Sequence, residues 1–163
     1  MSLPRPIMLA LAPVLALAAA GAVQARPAQD PPPYRLTLKA MLFYSDRGTF
    51  SGDLIARPVD LWNTPAGEGR AGGSSNQLLV VADVRGEGGS YVPSRKVELT
   101  VTEGGRQTYQ HAEETNIVNT NGHTYVAFWL NGTGCRRLRL TARIRGQTPS
   151  TPVTATIPFA CGE

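Results

Sequence analysis

Residues 138–144 alternate strictly between apolar and polar side chains, and this period of two constrains the fold more than any other feature of the chain. Side chains on a strand point alternately to its two faces, so one face of this stretch is apolar and the other is mostly basic. After residue 25, no segment repeats apolar residues at helical spacing over three turns. The sequence therefore predicts an all-β protein.

Short segments of this kind recur along residues 34–163, separated by turn signals rich in glycine, proline and asparagine. Seven or eight strands are expected, which suits one antiparallel β-sandwich of roughly 130 residues. The pattern resembles an immunoglobulin-like sandwich in its architecture, although the Cys…Trp…Cys spacing of antibody domains is missing. We therefore expect a single domain over residues 34–163.

The position of some strands within the sheets can also be predicted. Residues 77–85 are apolar on both faces in their first half, and residues 124–130 are so throughout, as expected of central strands. The second segment predicts that Trp129 lies in the core. The last segment, residues 152–160, carries two prolines at even spacing, so both missing N–H groups point to one side. It is predicted to be an edge strand that pairs with residues 138–144.

Gly104-Gly105 predicts a tight hairpin, because two glycines supply the positive φ angles of a type I′ turn. A two-residue loop with an unbroken register places Glu98 opposite His111. The outward face of this hairpin is therefore expected to carry complementary charged pairs.

The first 25 residues have the pattern of a secretory signal peptide, with Arg5, an apolar run over residues 7–20 and small residues before the cleavage position. We expect cleavage near Ala25 and a proline-rich disordered leader over residues 26–33. The mature protein is then expected to be periplasmic or secreted, without a transmembrane segment. The formal net charge of +4 is too small to indicate a nucleic-acid partner by itself.

The chain has two cysteines, Cys135 and Cys161, which are expected to form a disulfide in an oxidising compartment. Two cysteines alone cannot build a structural zinc site. A bridge between directly opposed strand residues would place Leu140 opposite Thr156 and mix apolar with polar side chains. Either a bulge intervenes, or the bridge joins the turns just beyond the strands.

Four arginines share the polar face of residues 138–144 and their flanks, and we call them the arginine face: Arg137, Arg139, Arg143 and Arg145. Guanidinium groups bind phosphates and carboxylates in bidentate fashion, so this face fits an anionic envelope component or an acidic protein surface. Charge runs of this kind are usually solvated faces, and the favoured interpretation is that these charges protect a hairpin from pairing with other sheets. Nucleic acid is not expected, because export removes it and no aromatic stacking platform accompanies the arginines.

The glycine-rich segment 63–75 is a second candidate contact surface, and Trp62 lies beside it in the sequence. Trp62 either packs beneath this loop or stacks on a sugar ring or a protein partner.

No catalytic constellation or cofactor motif is present in the sequence. His111 and His123 are not expected to converge, so no metal site is predicted. The sequence Gly48-Thr-Phe-Ser-Gly52 places its serine one position late for a nucleophile elbow. We therefore expect no cofactor and favour a non-enzymatic role.

These observations favour an exported, non-enzymatic β-sandwich that binds an envelope component or a partner protein. Two alternatives stay open. A carbohydrate-active or accessory hydrolase would use Asp46, Asp53 or Glu68 from the loops. A structural subunit would assemble through an edge strand.

Overall fold

The computed structural model describes residues 32–117 and 119–162. The signal peptide predicted over residues 1–25 and most of the predicted leader lie outside the described residues. Within the described part, the chain forms eight β-strands and one short 3₁₀ helix, Thr64–Ala66, and no α-helix. The strands are β1 (Arg35–Tyr44), β2 (Thr49–Phe50), β3 (Gln77–Arg85), β4 (Lys96–Glu103), β5 (Arg106–Glu114), β6 (His123–Asn131), β7 (Leu138–Arg145) and β8 (Val153–Ile157).

The strands form two antiparallel sheets of four strands that share one apolar core. The first sheet has the order β2-β1-β3-β6 and the second has the order β5-β4-β7-β8. Alternate residues of each long strand point into the core, where β-branched and leucine side chains pack tightly. The largest fully buried side chains include Leu42, Leu78, Val80, Val97, Leu99, Phe128, Leu140, Ile144 and Ile157. The prediction of an all-β chain with two antiparallel layers is confirmed.

The two segments predicted to be central strands differ in position. β3 lies between β1 and β6, as predicted. In contrast, β6 pairs only with β3 within residues 32–117 and 119–162, and it is an edge strand of the first sheet. Phe128 points inward and is 2% exposed, whereas Trp129 points outward and is 45% exposed. The predictions of a central β6 and of a core Trp129 are therefore wrong, because no layer formed by the described residues covers the apolar outward face of β6.

The hairpin about Gly104-Gly105 forms as predicted, but its register does not stay constant. A β-bulge shifts the pairing by one residue, with Thr108 of β5 as the additional residue. His111 therefore lies opposite Leu99, and the predicted pairing of His111 with Glu98 is wrong. As a result, the carboxylate of Glu98 forms its ion pairs with residues of β7.

β8 is an edge strand that pairs with β7, as predicted. Leu138 lies opposite Ile157, so apolar residues face each other across this pair. Cys135 and Cys161 form the expected disulfide, with a Cα–Cα distance of 4.7 Å. Both cysteines lie outside β7 and β8, so the bridge joins the turns beyond the strands and needs no bulge.

The irregular segment between β2 and β3 is held in place by hydrogen bonds to three parts of the fold. The buried Thr64 hydroxyl donates to the carbonyl of Gly134 at 3.1 Å, and the Ser75 hydroxyl donates to the carbonyl of Phe43 at 2.6 Å. The Asn63 amide donates to the carbonyl of Ala160 at 2.7 Å. This long loop therefore lies against the carboxyl-terminal segment and the disulfide turn.

Candidate functional site

Three aromatic rings cluster on the outward face of the first sheet. Phe43 of β1, Phe50 of β2 and Trp129 of β6 contact one another with ring centroids 5.2, 5.6 and 5.9 Å apart. Their planes are inclined by 43° to 89°, as is favourable for aromatic pairs. Phe50 is 44% exposed, similar to Trp129. We call these three residues the aromatic patch.

The order of the strands and their register build this patch. Met41, Leu79 and Trp129 form one row across β1, β3 and β6. Phe43 follows Met41 on the same face of β1, and Phe50 lies opposite Phe43 on β2. On β1, β3 and β6 the apolar core residues occupy the even-numbered positions, so Met41, Phe43, Leu79 and Trp129 point away from the core. Phe50 lies on the same side, in contact with Phe43 and Trp129. The outward face of the first sheet is thus apolar at this end.

At the other end of the same face, two basic side chains hold a buried carboxylate. Asp83 is 1% exposed, Arg85 donates to its Oδ2 at 2.9 Å, and His123 Nδ1 lies 3.2 Å from its Oδ1. Burial alone would raise the pKa of Asp83, but hydrogen bonds from Arg85 and His123 outweigh burial and lower the pKa. Asp83 in turn raises the pKa of Arg85. Both carboxylate oxygens are engaged, so Asp83 joins β3 to β6.

A cavity of about 310 Å³ lies between the carboxyl end of β6 and the β4–β5 hairpin. Its lining includes Thr108 and Tyr109 from β5 and Trp129 and Leu130 from β6. Thr133 also lines it, and the Thr133 hydroxyl is buried without a hydrogen-bond partner among the described residues. This volume is at the lower limit for small-molecule sites, so the cavity suits one or two side chains better than a whole ligand.

The arginine face is divided between paired and unpaired residues. Glu98 is 3% exposed on the outward face of β4, and its carboxylate contacts Arg143 at 2.6 Å and Arg145 at 3.0 Å. Arg137 and Arg139 form no ion pair with any described residue. Half of the arginine face therefore neutralises a carboxylate of the protein itself, which leaves two guanidinium groups for an external anion.

Trp62 lies apart from the aromatic patch, with no ring contact to it among the described residues. Its backbone forms a bridge with Ala160, and its ring lies against Gly162. Trp62 is 43% exposed, so it covers the carboxyl-terminal segment on one side and faces solvent on the other. Within segment 63–75, Asn63, Thr64 and Ser75 are used to anchor the loop.

The loop carboxylates considered for hydrolysis have separate local roles. Asp53 accepts the backbone amides of Ala40 and Ile55 at 3.1 and 3.0 Å. Glu68 accepts from the side chain of Asn63, and Asp46 contacts Arg47 at 3.7 Å in the exposed turn after β1. Among the described residues, no group of three or more histidine, cysteine or acidic side chains is arranged to hold a metal ion.

The two histidines are likewise engaged with different acids. His111 contacts Glu113 at 2.7 Å on β5, and His123 contacts Asp83 on the first sheet. They belong to different sheets, consistent with the prediction that they do not converge.

Phe43 and Phe50 were not identified as candidates from the sequence. The signal that could have found Phe43 is its parity, since Met41 and Phe43 occupy the outward positions of a strand whose inward positions are already apolar. The contact with Phe50 depends on the turn between β1 and β2, which the sequence pattern does not define.

No protein-family model matches this chain, and a search of curated proteins finds no relative. Among the described residues, no helix has the length and apolar character that a membrane crossing requires. Any functional assignment therefore depends on the residues and the structure of this chain.

Proposed function

We propose that this chain is an exported, immunoglobulin-like and non-enzymatic binding module that docks a partner protein through the aromatic patch. The observation that carries this proposal is the contact among three outward-facing aromatic rings on the strands of one sheet, two of which, Phe50 and Trp129, are nearly half exposed. Contiguous apolar surfaces of this kind mark interaction sites on soluble proteins. Aromatic residues are also enriched at protein interfaces, where they contribute most of the binding energy.

The inclined ring planes favour a protein partner over a sugar. A sugar ring stacks best on a flat aromatic surface, whereas Phe43 and Trp129 meet at 89° and leave no common plane. Protein side chains can fill the angular spaces between such rings. Met41 and Leu79 extend the apolar surface beside the rings, which suits a partner with apolar side chains of its own.

The arginine face supports a binding role less well. Arg143 and Arg145 are already paired with the buried Glu98, so their charge is largely balanced within the protein. Arg137 and Arg139 are left to attract anions, and two exposed charges give a weak interaction that salt screens.

The response of partner capture to salt and to mutation tests this proposal. The purified protein is immobilised, exposed to an envelope extract at about 0.15 M and about 1 M salt, and the retained proteins are quantified by mass spectrometry. We expect a specific partner to be retained at both salt concentrations, because apolar contacts are not screened. The Phe50→Ser/Trp129→Thr variant is expected to lose that partner.

The matched control is the Arg137→Gln/Arg139→Gln variant, which removes two exposed charges and keeps the aromatic patch. It is expected to retain the partner. Loss of the partner at high salt and in this control, together with retention by the aromatic variant, would assign binding to the arginine face and contradict the proposal.

A further inference from the structure

The hydrogen bonding of β6 shows which backbone groups face its open edge. The Gly86 amide donates to the carbonyl of Gly122 at 3.0 Å, which makes this a hydrogen-bonded pair just before β6. Such pairs alternate along an antiparallel ladder, so the even-numbered residues of β6 bond to β3. The N–H and C=O groups of Tyr125, Ala127 and Trp129 therefore point away from β3, toward the edge of the sheet.

The beginning of this edge is capped, whereas its middle is open. The Asn119 side chain donates to the carbonyl of His123 and accepts its amide, so it satisfies both edge-facing groups of His123. From Tyr125 to Trp129, the edge-facing groups have no partner among the described residues. The same residues include no charge, proline or bulge, which are the devices that usually protect an edge.

The other sheet edges in the described part of the chain carry such devices. β8 spans only five residues between Pro152 and Pro158. β5 contains the bulge and several charged side chains. On β1, the amide of Ala40 bonds to Asp53, and the amide of Leu42 bonds to Ser51. β6 is therefore the edge best suited to pair with another strand.

We propose that β6 binds an extended, uncharged strand from another protein by backbone pairing, and that one large apolar side chain of this strand enters the adjacent cavity. The edge-facing amides and carbonyls of Tyr125, Ala127 and Trp129, which have no partner in the described part of the chain, complement the backbone of another extended strand. The cavity lies at the carboxyl end of the same strand and is lined by Trp129 and Leu130.

The geometry favours a flexible segment over a second folded copy. In a second copy, Val126, Phe128 and Leu130 of β6 are already packed in their own core, so none of them can enter the cavity of the first copy. Residues 26–33 of the chain itself are unsuitable because four of the eight are proline and lack the amide that pairing requires. This inference rests on the proposed binding function and names the chemistry of the partner.

Synthetic peptides test the backbone pairing directly. The probe is a capped peptide of nine residues, the length of β6, that alternates threonine and valine, has one central phenylalanine and carries terminal lysines for solubility. Two further versions carry N-methyl groups on alternate backbone amides. One version is methylated at the odd-numbered residues of the peptide and the other at the even-numbered residues. We expect one version to lose affinity by about tenfold or more and the other to keep it, because only one set of amides faces β6.

Binding is measured by titration calorimetry, and the site is located from the amide chemical shifts of β6. Replacing the central phenylalanine with alanine is expected to weaken binding by about tenfold, since the cavity then stays unfilled. Equal affinity of the two N-methylated versions, or no shift in β6, would overturn strand pairing. A concentration-dependent dimer blocked by no peptide would instead identify a second copy as the occupant and also overturn the proposal.

A variant of the protein gives a second test. Ala127→Pro removes one edge-facing amide and no bond to β3, so the fold is expected to persist while peptide binding falls by about tenfold. Ala127→Thr is the matched control, because it keeps the amide and favours a strand. If Ala127→Pro fails to fold, the N-methylated peptides still decide the question.

The two proposals fail in different ways. If the aromatic variant loses the partner and Ala127→Pro retains it, the aromatic patch stands and strand pairing is overturned. If Ala127→Pro loses the partner and the aromatic variant retains it, strand pairing is supported and the aromatic patch is not the docking surface.

Discussion

The outward faces of the two sheets share one arrangement of charged side chains and differ in the residues around it. Each face buries one carboxylate and holds it with two basic side chains: Asp83 with Arg85 and His123 in the first sheet, and Glu98 with Arg143 and Arg145 in the second. Beyond that arrangement, the first sheet exposes aromatic rings. Rows of threonine cover the second, including Thr100 opposite Thr141 and Thr141 opposite Thr154.

This difference shows that a conspicuous sequence pattern need not mark an unsatisfied surface. The arginine face is the most prominent charged pattern in the chain, yet half of it serves Glu98. Threonine hydroxyls on the same sheet can hydrogen-bond to water, so this face needs no partner. The aromatic patch is less conspicuous in the sequence, but water cannot satisfy it, and covering it with a partner would be favourable.

The largest expected effect separates the two faces of β6 itself. Phe128→Ala removes a core side chain and is expected to lower the free energy of unfolding by about 3 to 5 kcal/mol. Trp129→Thr, one residue later, is expected to cost less than about 1 kcal/mol, because the indole is half exposed. Urea unfolding of both variants measures the difference. Similar losses for the two would return Trp129 to the core and remove the contrast between the sheets.

A smaller effect is expected from the buried carboxylate of the second sheet. Glu98→Gln removes two charge-assisted contacts and is expected to lower the free energy of unfolding by about 1.5 to 3 kcal/mol. Glu114→Gln is the control, since Glu114 is exposed and lies 3.8 Å from Lys96, and its effect is expected to stay below about 0.5 kcal/mol. If the two variants were equally stable, the arginine face would not be committed to Glu98.

The carboxylate of the first sheet is expected to show its effect through pH. Because Arg85 and His123 lower the pKa of Asp83 in the folded state, its ionised form stabilises the protein above the unfolded pKa of about 3.9. This contribution is lost as pH falls below that value through the folded pKa. Asp83→Asn is expected to lower the free energy of unfolding by about 1 to 2 kcal/mol at neutral pH. It is also expected to make stability fall less steeply as pH decreases in the acid range.

Thermal unfolding from pH 2 to pH 7 measures this dependence. If stability falls with decreasing pH as steeply in Asp83→Asn as in the unmodified protein, other carboxylates cause that fall. Asp83 would then not hold β3 to β6 through its charge.

The smallest effect is expected at the free end of the arginine face. Arg137→Gln/Arg139→Gln should change the free energy of unfolding by no more than about 0.5 kcal/mol, because neither residue has an ion-pair partner in the described structure. The measurement is again urea unfolding, at low and high salt. A larger loss at low salt would indicate that these arginines contribute to the fold, which would make the two sheets more alike.

Strand alternation was sufficient to predict the layers of the fold. The polar and apolar positions of β7 follow the sequence directly, since Leu140 and Ile144 are buried and Arg139 is exposed. The edge position of β8 also followed, because the prolines that flank it cannot pair on both sides. These features are local, so the sequence contains them.

The position of β6 could not be predicted in the same way. Apolar residues on both faces of a strand show that both faces avoid water, but they do not show that both edges are paired. β3 and β6 have similar patterns, and only the order of the strands separates them. The bulge at Thr108 and the pairing of Glu98 with Arg143 are also non-local, because they depend on which strand lies beside β4.

The protection of the remaining sheet edges limits how this protein can assemble. With β6 as the one unprotected edge that the described residues form, each molecule has a valence of one for strand pairing. A molecule with one open sheet edge can pair with one other strand only, so it ends the assembly that it joins and cannot continue a chain of identical molecules. Assembly through β6 is therefore expected to stop at complexes of fixed stoichiometry and not to extend into fibres.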